Sequence, residues 1–410
     1  MKIHAECLVR GSMDRPVEIR RRFALAPDGL FLAEHRLYES ESDFVNSCEG
    51  RVSPDGGKNW SKWKDIYGEY YRKSGDDEYV THNCLVCETY NPVHDHYVGA
   101  LMEMYFRGGR RASFARYWAG QEPKQERVSL IIRQPGEESF MRFPIRYDER
   151  DEKNLAYFGT NVAVMRSGDI LLPLGPSVAH CCALAGISVE DVFPSAPELM
   201  HGCIIARGRW NAERTAYDFT FSTPMILGDL LSSRGIDEPT VAELSSGRIL
   251  VVFRGSNMRS DAMHTRIEPG APAIKWYAYS DDGGSTFSPV MPWRTDRGEV
   301  VYSSATISLL FRQPGGGLYW LGNVTGPGAK GNMPRYPLLI GRVDERYGTL
   351  LADSVAVIDT RREGETEDLQ LSNFYLAYLD GKLEVTLTKF GQFSTKEAFH
   401  GDTWRYYIEL

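Results

Sequence analysis

Charged side chains stand beside predicted strands in three separate parts of the chain. These residues are Glu238 and Arg254, then Arg36 and Asp43, and finally Arg335. A guanidinium binds a planar carboxylate through two parallel hydrogen bonds, which a lysine cannot do. A carboxylate can exchange protons or assist a nucleophile when a glycosidic bond is cleaved. Together, these residue types would suit chemistry on an acidic sugar.

Tyrosines and histidines supply a second set of candidate groups. Tyr302 lies just ahead of one predicted inner strand, and Tyr375 lies within another. A tyrosine can replace a carboxylate nucleophile when the substrate is itself an anion. A histidine can act as a base near neutral pH. The histidine candidates are His35, His82, His180 and His201.

The elements that must position these residues recur along the chain. Each copy has an apolar strand, a turn that usually contains glycine, and another apolar strand. Successive turns are 65 to 79 residues apart, with centres near positions 29, 95, 168, 247, 316 and 381. A near-constant period of this size is typical of a ring of repeated units. We therefore predict an all-β fold, a six-bladed β-propeller of four-stranded antiparallel blades forming one domain over residues 1–410.

One eight-residue pattern occurs twice, at residues 53–60 and 280–287. Both copies read Ser-x-Asp-x-Gly-x-(Thr or Asn)-aromatic. The serine and aspartate can bond the backbone of a tight turn, and the glycine adopts positive φ without steric cost. The pattern resembles the Asp box of the sialidase superfamily, the BNR repeat, where it staples the outer strands of a propeller blade. It therefore indicates the fold more directly than the function.

Resemblance to that superfamily assigns roles to the charged residues. The hairpin from Glu238 to Arg254 resembles the sialidase segment in which a glutamate polarises the nucleophile and an arginine binds the substrate carboxylate. The run Ala33-Glu34-His35-Arg36 resembles the family's Ala-Glu-Gly-Arg run, with histidine in place of the glycine. Asp43 then corresponds to the aspartate that acts as general acid and base.

The resemblance also implies a triad of arginines around the substrate carboxylate. Arg335 corresponds to the third of them. Arg20, Arg21 and Arg22 are all available as the first, and strand alternation places Arg20 and Arg22 on one face. We keep Arg22 as the candidate, without the Arg-Ile-Pro motif that usually marks this position.

The sequence departs from the family where the catalytic tyrosine should precede the inner strand of the last blade. That place is occupied by Leu371-Ser372-Asn373. Tyr375 follows inside the strand, and Tyr302 is the alternative from the preceding blade.

Composition limits the possible partners. The net charge of -8 at pH 7 argues against a dedicated nucleic-acid binder, although a local arginine cluster can still bind an anion. No apolar stretch has the length of a signal peptide core or a membrane span, which predicts a soluble, cytoplasmic protein. We expect a carbohydrate partner, no metal and no cofactor.

Three functions remain open. The first is a sialidase-like glycoside hydrolase acting on an acidic or polar glycan. The second is a polysaccharide lyase on the same scaffold, with a histidine base and a tyrosine acid. The third is a glycan-binding propeller without catalysis.

Overall fold

Short apolar runs that end at glycine turns form the antiparallel strands of this protein. The computed structural model describes residues 1–41, 44–74, 77–83, 88–379, 381–393 and 400–410. The strands are, in chain order, β1 (Lys2–Val9), β2 (Val17–Ala24), β3 (Leu32–Glu41), β4 (Phe44–Ser53), β5 (Lys64–Asp65), β6 (Tyr71–Ser74), β7 (Asp77–Asn83), β8 (Thr89–Asn91), β9 (His96–Arg107), β10 (Gln125–Arg133), β11 (Met141–Pro144), β12 (Tyr157–Phe158), β13 (Ala163–Val164), β14 (Ile170–Gly175), β15 (Ile204–Asn211), β16 (Ala216–Phe221), β17 (Asp237–Glu243), β18 (Ile249–Arg254), β19 (Lys275–Ser280), β20 (Met291–Pro292), β21 (Ser308–Arg312), β22 (Leu318–Asn323), β23 (Leu338–Arg342), β24 (Ala356–Asp359), β25 (Phe374–Leu379), β26 (Lys382–Thr388) and β27 (Thr403–Glu409).

These strands form six antiparallel sheets arranged as the blades of a propeller, which confirms the predicted fold class. Blade 1 has the order β2-β3-β4-β5, blade 4 β17-β18-β19-β20, and blade 5 β21-β22-β23-β24. In blade 3 the segments β12 and β13 both pair with β14, so two short pieces share the position of the inner strand. Blade 2 likewise pairs β7 and β8 with β9, and it carries the additional strand β6 beside β7.

Blade 6 closes the ring because it contains both ends of the chain. Its strand order is β1-β27-β26-β25, and β1 pairs with β27 from Lys2 opposite Glu409 to Val9 opposite Thr403. The first strand of the chain thus supplies the outer edge of the last blade. The inner strands β2 and β25 of blades 1 and 6 then contact each other.

A buried network of ion pairs fills the interface between blades 1 and 6. Glu34 lies between the guanidinium groups of Arg51 and Arg405, at 2.7 and 3.3 Å. Arg405 also reaches Glu384 at 3.2 Å, and Arg22 reaches the same carboxylate at 3.3 Å. Glu34 and Glu384 are almost completely buried. This interface therefore depends on charges satisfying one another.

Apolar side chains fill the spaces between successive blades from blade 2 to blade 6. Blades 2 and 3 share a cluster that includes Leu130 and Leu172, and blades 3 and 4 share one that includes Ile205 and Val251. Trp293 and Trp320, both fully buried, lie between blades 4 and 5. Each interface removes apolar surface from water, the main favourable contribution to folding.

The helices lie outside the blades and were not anticipated from the sequence. They are α1 (Tyr67–Tyr70), α2 (Arg110–Trp118), α3 (Val178–Ala185), α4 (Val189–Val192) and a 3₁₀ turn at Ala352–Ser354. Only Arg110 and Tyr117 of α2 are buried. The sequence of this helix lacks the apolar stripe by which a surface helix is recognised. None of the helices within the described ranges has the length and apolar character needed to cross a membrane.

The two copies of the eight-residue pattern form the same turn. Ser53 and Ser280 each accept a hydrogen bond from the amide four residues later, at 2.9 Å. Asp55 accepts from the amide of Asn59 at 2.8 Å, and Asp282 accepts from that of Thr286 at 3.0 Å. The predicted bonding of side chains to the turn backbone is therefore present in both places.

Candidate functional site

The inner strands of blades 1, 3, 4, 5 and 6 begin at one end of the ring, which we call the mouth. Each inner strand runs from the mouth to a hairpin turn at the opposite end, so the second strand ends at the mouth and the third begins there. Residues at the start of β17, the end of β18 and the start of β19 therefore meet. The loops that precede β15 and β23 open on the same end.

Glu238 and Arg254 form a buried ion pair at this mouth. Arg254 Nη1 donates to Glu238 Oε2 at 2.6 Å, and both residues are less than a tenth exposed. Burial would lower the pKa of the Arg254 guanidinium, but the carboxylates of Glu238 and Asp237 outweigh burial and raise it. The Arg254 guanidinium therefore stays charged.

The backbone at Glu238 is held in an uncommon conformation. Its φ is +43°, and the pairing of β17 with β18 shifts register between Asp237 and Thr240. A residue other than glycine in the left-handed region costs about 1–2 kcal/mol. Such a bulge redirects side chains that would otherwise alternate regularly along the strand. This local geometry aims the Glu238 carboxylate at Arg254.

Asn332 joins Arg335 to this pair. Its side-chain oxygen accepts from Arg254 Nη2 at 3.2 Å, and its backbone oxygen accepts from Arg335 Nε at 3.0 Å. Arg335 Nη1 also donates to the side chains of Gln370 and Ser372, at 3.0 and 3.2 Å. These contacts fix the orientation of the Arg335 guanidinium. The structure thus brings Glu238, Arg254 and Arg335 into one cluster, although they are remote in sequence.

Lys275 lies directly beneath this cluster. Its Nζ donates to the carbonyl oxygen of Thr306 at 2.5 Å, and the side chain is fully buried. Burial, reinforced by repulsion from Arg254, lowers the pKa of this amine from 10.5 to about 7. Lys275 was not predictable from the sequence, because its position beside the arginines depends on contacts between neighbouring blades.

A second group of side chains adjoins the first through Asp237. His201 Nδ1 lies 3.2 Å from Asp237 Oδ1, and Arg234 lies 3.3 Å from the other oxygen of that carboxylate. The His201 ring stacks on Tyr157, with centroids 5.3 Å apart and planes inclined by 14°. Burial alone would raise the pKa of Asp237, but the His201 ring and the two arginines outweigh it and hold that pKa below its ordinary value. Asp237 therefore remains a carboxylate.

Arg22 and Arg36 lie on the sheet face of blade 1 that packs against blade 6. Arg22 contacts Glu384, and it lies near the hairpin end of β2 rather than the mouth. Arg36 Nε donates to Glu49 Oε2 at 2.6 Å, and its guanidinium stacks 4.3 Å from the Trp63 ring. Within the described part of the chain, neither arginine contacts Glu238 or Arg254.

The remaining predicted groups are placed as follows. Tyr375 is buried among Ile19, Leu37 and other apolar residues between blades 6 and 1, and its hydroxyl donates to Asn373 at 3.2 Å. Tyr302 is half-buried against the apolar cluster of blade 4. Asp43 lies outside the described residues.

The histidines considered for a lyase are found in different surroundings. His35 is buried in blade 1, where burial and Arg21 lower its pKa to about 3. His180 pairs with Asp148 at 3.2 Å. His82 belongs to β7, and His201 is the one placed beside Glu238 through Asp237. Over the described ranges, no group of three or more His, Cys, Asp or Glu side chains is arranged to hold a metal ion.

Sequence reasoning missed Tyr157, Asp237 and Asn332 as members of the mouth. Asp237 carried a usable signal, because it directly precedes Glu238. Tyr157 and Asn332 carried none, since their roles arise from contacts with His201 and Arg254 across loops.

The six sheets define a class of architecture, the six-bladed β-propeller. No protein-family model matches the sequence, and no curated protein matches it either. Solved structures do match over most of this chain, and they include two sialidases.

Three of these structures show the extent of the likeness. A protein of unknown function from Dyadobacter fermentans has a TM-score of 0.57 at 14% identity, with 99% of each chain covered. The NanB sialidase from Streptococcus pneumoniae has a TM-score of 0.56 at 10% identity, covering 99% of this chain and 70% of that one. The Trypanosoma rangeli sialidase, solved with the inhibitor DANA, has a TM-score of 0.53 at 12% identity. That match covers 96% of this chain and 55% of the Trypanosoma chain. These likenesses describe the fold.

Proposed function

We propose that this protein is a sialidase-like glycoside hydrolase that binds an acidic sugar at the mouth. The observation that carries the proposal is the bridge formed by Asn332 between Arg254 and Arg335, beside the buried carboxylate of Glu238. Two guanidinium groups fixed by one asparagine form a preorganised cradle for a planar carboxylate.

The local balance of charge supports an anionic ligand. Arg234, Arg254 and Arg335 supply three guanidinium groups, against the carboxylates of Asp237 and Glu238. These guanidinium groups lie in a chain whose net charge is -8. A cluster of guanidinium groups attracts ligands of negative charge. A sugar carboxylate fits this requirement, as in a sialic acid.

In this proposal Glu238 is the catalytic carboxylate, and Arg254 and Arg335 bind the substrate. Glu238 would act as a base for the attacking nucleophile, as the resemblance to sialidases implies. Asp43 remains a candidate acid, while Arg22, Arg36, Tyr302 and Tyr375 are the other groups that the resemblance points to. The sialidase names of several structural neighbours agree with the proposed ligand class.

The test compares acidic and neutral sugars. We expect the protein to cleave 4-methylumbelliferyl α-N-acetylneuraminide and to ignore the matching β-galactoside. Glu238→Gln should lower kcat by about 10²–10⁴-fold, as expected when a general acid–base group is lost. Arg335→Lys should weaken binding of N-acetylneuraminic acid by about tenfold or more, because a bidentate charged contact is lost.

Arg312→Lys is the matched control. Arg312 is also paired with a carboxylate, Glu345 at 2.8 Å, but it lies at the opposite end of β21 from the mouth. Its replacement should leave binding unchanged. Binding of the acid without turnover would contradict the hydrolase part of the proposal. Equal binding of acidic and neutral sugars would contradict the ligand class.

A further inference from the structure

We propose that His201 is the general acid of this site, positioned by Asp237. This inference rests on the proposed function and assigns it a proton donor. Asp237 and Glu238 are consecutive in β17, so the partners of their carboxylates, His201 and Arg254, flank the same dipeptide. The two halves of the mouth therefore meet at one point in the fold.

The backbone fixes His201 from both sides. Its neighbours across isolated bridges are Ser177 and Gly235. Ile236 donates its amide hydrogen to the His201 carbonyl at 2.9 Å. A Cβ atom at Gly235 would lie 2.2 Å from that oxygen, so only glycine permits this close approach. A group held this tightly loses little conformational entropy when a ligand binds.

The ring of His201 is oriented by two contacts. Asp237 lies opposite Nδ1, and Tyr157 covers one face of the ring. A carboxylate at Nδ1 keeps a proton on that nitrogen, so Nε2 is the atom that exchanges a proton with a ligand. The His201 side chain is 13% exposed, which leaves part of it open to solvent.

The chemical step follows from this arrangement. Nε2 gives its proton to the oxygen of the departing sugar while the bond between that oxygen and the anomeric carbon breaks. The bonding electron pair leaves with the oxygen, and Arg254 and Arg335 hold the acid group of the remaining sugar. Water then adds its hydroxyl to the anomeric carbon and gives its other proton to the Glu238 carboxylate, from which a proton returns through solvent to Nε2. The products are two sugars with free hydroxyl groups, and the histidine is regenerated.

The experiment compares two substrates that differ in their need for an acid. Methylumbelliferone is a good leaving group and departs without full protonation, whereas the lactose of 3′-sialyllactose requires it. His201→Asn and His201→Gln should slow cleavage of 3′-sialyllactose by about 100-fold or more. Both variants should slow cleavage of the methylumbelliferyl sialoside by less than about tenfold. Asp237→Asn, which changes the positioning residue, should show the same dependence on leaving group with a smaller loss.

His180→Asn is the matched control, because it removes a second histidine that pairs with an aspartate beside a tyrosine. His180 lies 3.2 Å from Asp148, and its ring is 5.2 Å from that of Tyr147. This variant should cleave both substrates at the wild-type rate.

Three outcomes would overturn the inference. One is an equal loss on both substrates in the His201 variants, which would indicate a general structural defect. Another is an unsaturated product absorbing in the ultraviolet, which would make the reaction an elimination. The last is a wild-type protein that binds N-acetylneuraminic acid, by calorimetry, but cleaves neither substrate. The last two outcomes, and failure to bind the acid at all, would overturn the proposed function as well, whereas an equal loss on both substrates would overturn only the role of His201.

Discussion

At the scale of single residues, the mouth contains several ion pairs and one lysine amine, that of Lys275, which donates to a carbonyl oxygen. Arg254 forms an ion pair with the Glu238 carboxylate, and Asp237 pairs with His201 and Arg234. Lys275 has a carbonyl oxygen, and burial moves its pKa to about 7. A neutral amine can donate this hydrogen bond without adding a further positive charge beside the arginines.

Lys275 should make the stability of the protein depend on pH. In the unfolded chain the amine has its ordinary pKa near 10.5, so unfolding takes up a proton between about pH 7 and 10.5. The free energy of unfolding should therefore rise with pH across this interval, by at most about 1.4 kcal/mol per pH unit. Lys275→Met should remove this rise, as measured by urea unfolding at pH 7.5 and 9.5.

The exposed Lys382 provides the control for this experiment. Lys382→Met should keep the wild-type dependence on pH, since that side chain is about half exposed. A constant difference in stability between the wild type and Lys275→Met at the two pH values would contradict the expectation.

At the scale of elements, the position of His201 is set where two loops meet. These are the loop before β17 and the segment before β15. Gly235 has φ +67° and contacts the His201 carbonyl. Gly270 has φ +85°, but no atom lies within 4 Å of where its Cβ would be. Comparing alanine substitutions at the two positions therefore separates the free-energy cost of positive φ from the cost of steric crowding.

Gly235→Ala should destabilise the protein more than Gly270→Ala does. The left-handed conformation alone costs about 1–2 kcal/mol, which is the loss expected for Gly270→Ala. Displacing the backbone at Gly235 adds about 1–3 kcal/mol and should also move His201. Denaturant unfolding gives the free energies, and cleavage of 3′-sialyllactose reports the displacement. Similar losses in both variants would mean that the loop adapts without cost.

At the scale of the whole molecule, the ring is closed by strand pairing and by charge. Breaking a buried ion pair leaves the other charges without compensation and typically costs about 3–5 kcal/mol. Glu34→Gln should cost this much, because Arg51 and Arg405 both depend on that carboxylate. Asp218→Asn, at the exposed pair with Arg214, should change the free energy of unfolding by less than about 1 kcal/mol. Equal effects in guanidinium unfolding would argue against a special role for the interface of blades 1 and 6.

The repeat was predictable from the sequence because turns have local causes. Each predicted turn centre coincides with or adjoins a residue at positive φ, namely Gly29, Asp95, Gly168, Gly247, Gly315 and Gly381. The contacts of Arg36 were not predictable, since its partners Glu49 and Trp63 come from neighbouring strands. The same holds for His201, which reaches Asp237 only because two loops meet at Gly235.

The pairing of β1 with β27 has a consequence for how the protein is made. Lys2–Val9 emerges from the ribosome long before Thr403–Glu409, so β1 has no partner strand until β27 has been made. Blades 3 to 5 consist of contiguous segments and can assemble as they are synthesised. Only the arrival of the final strand lets the two ends meet and brings Arg405 to Glu34. The nascent chain is therefore an open arc that becomes a ring once β27 is available.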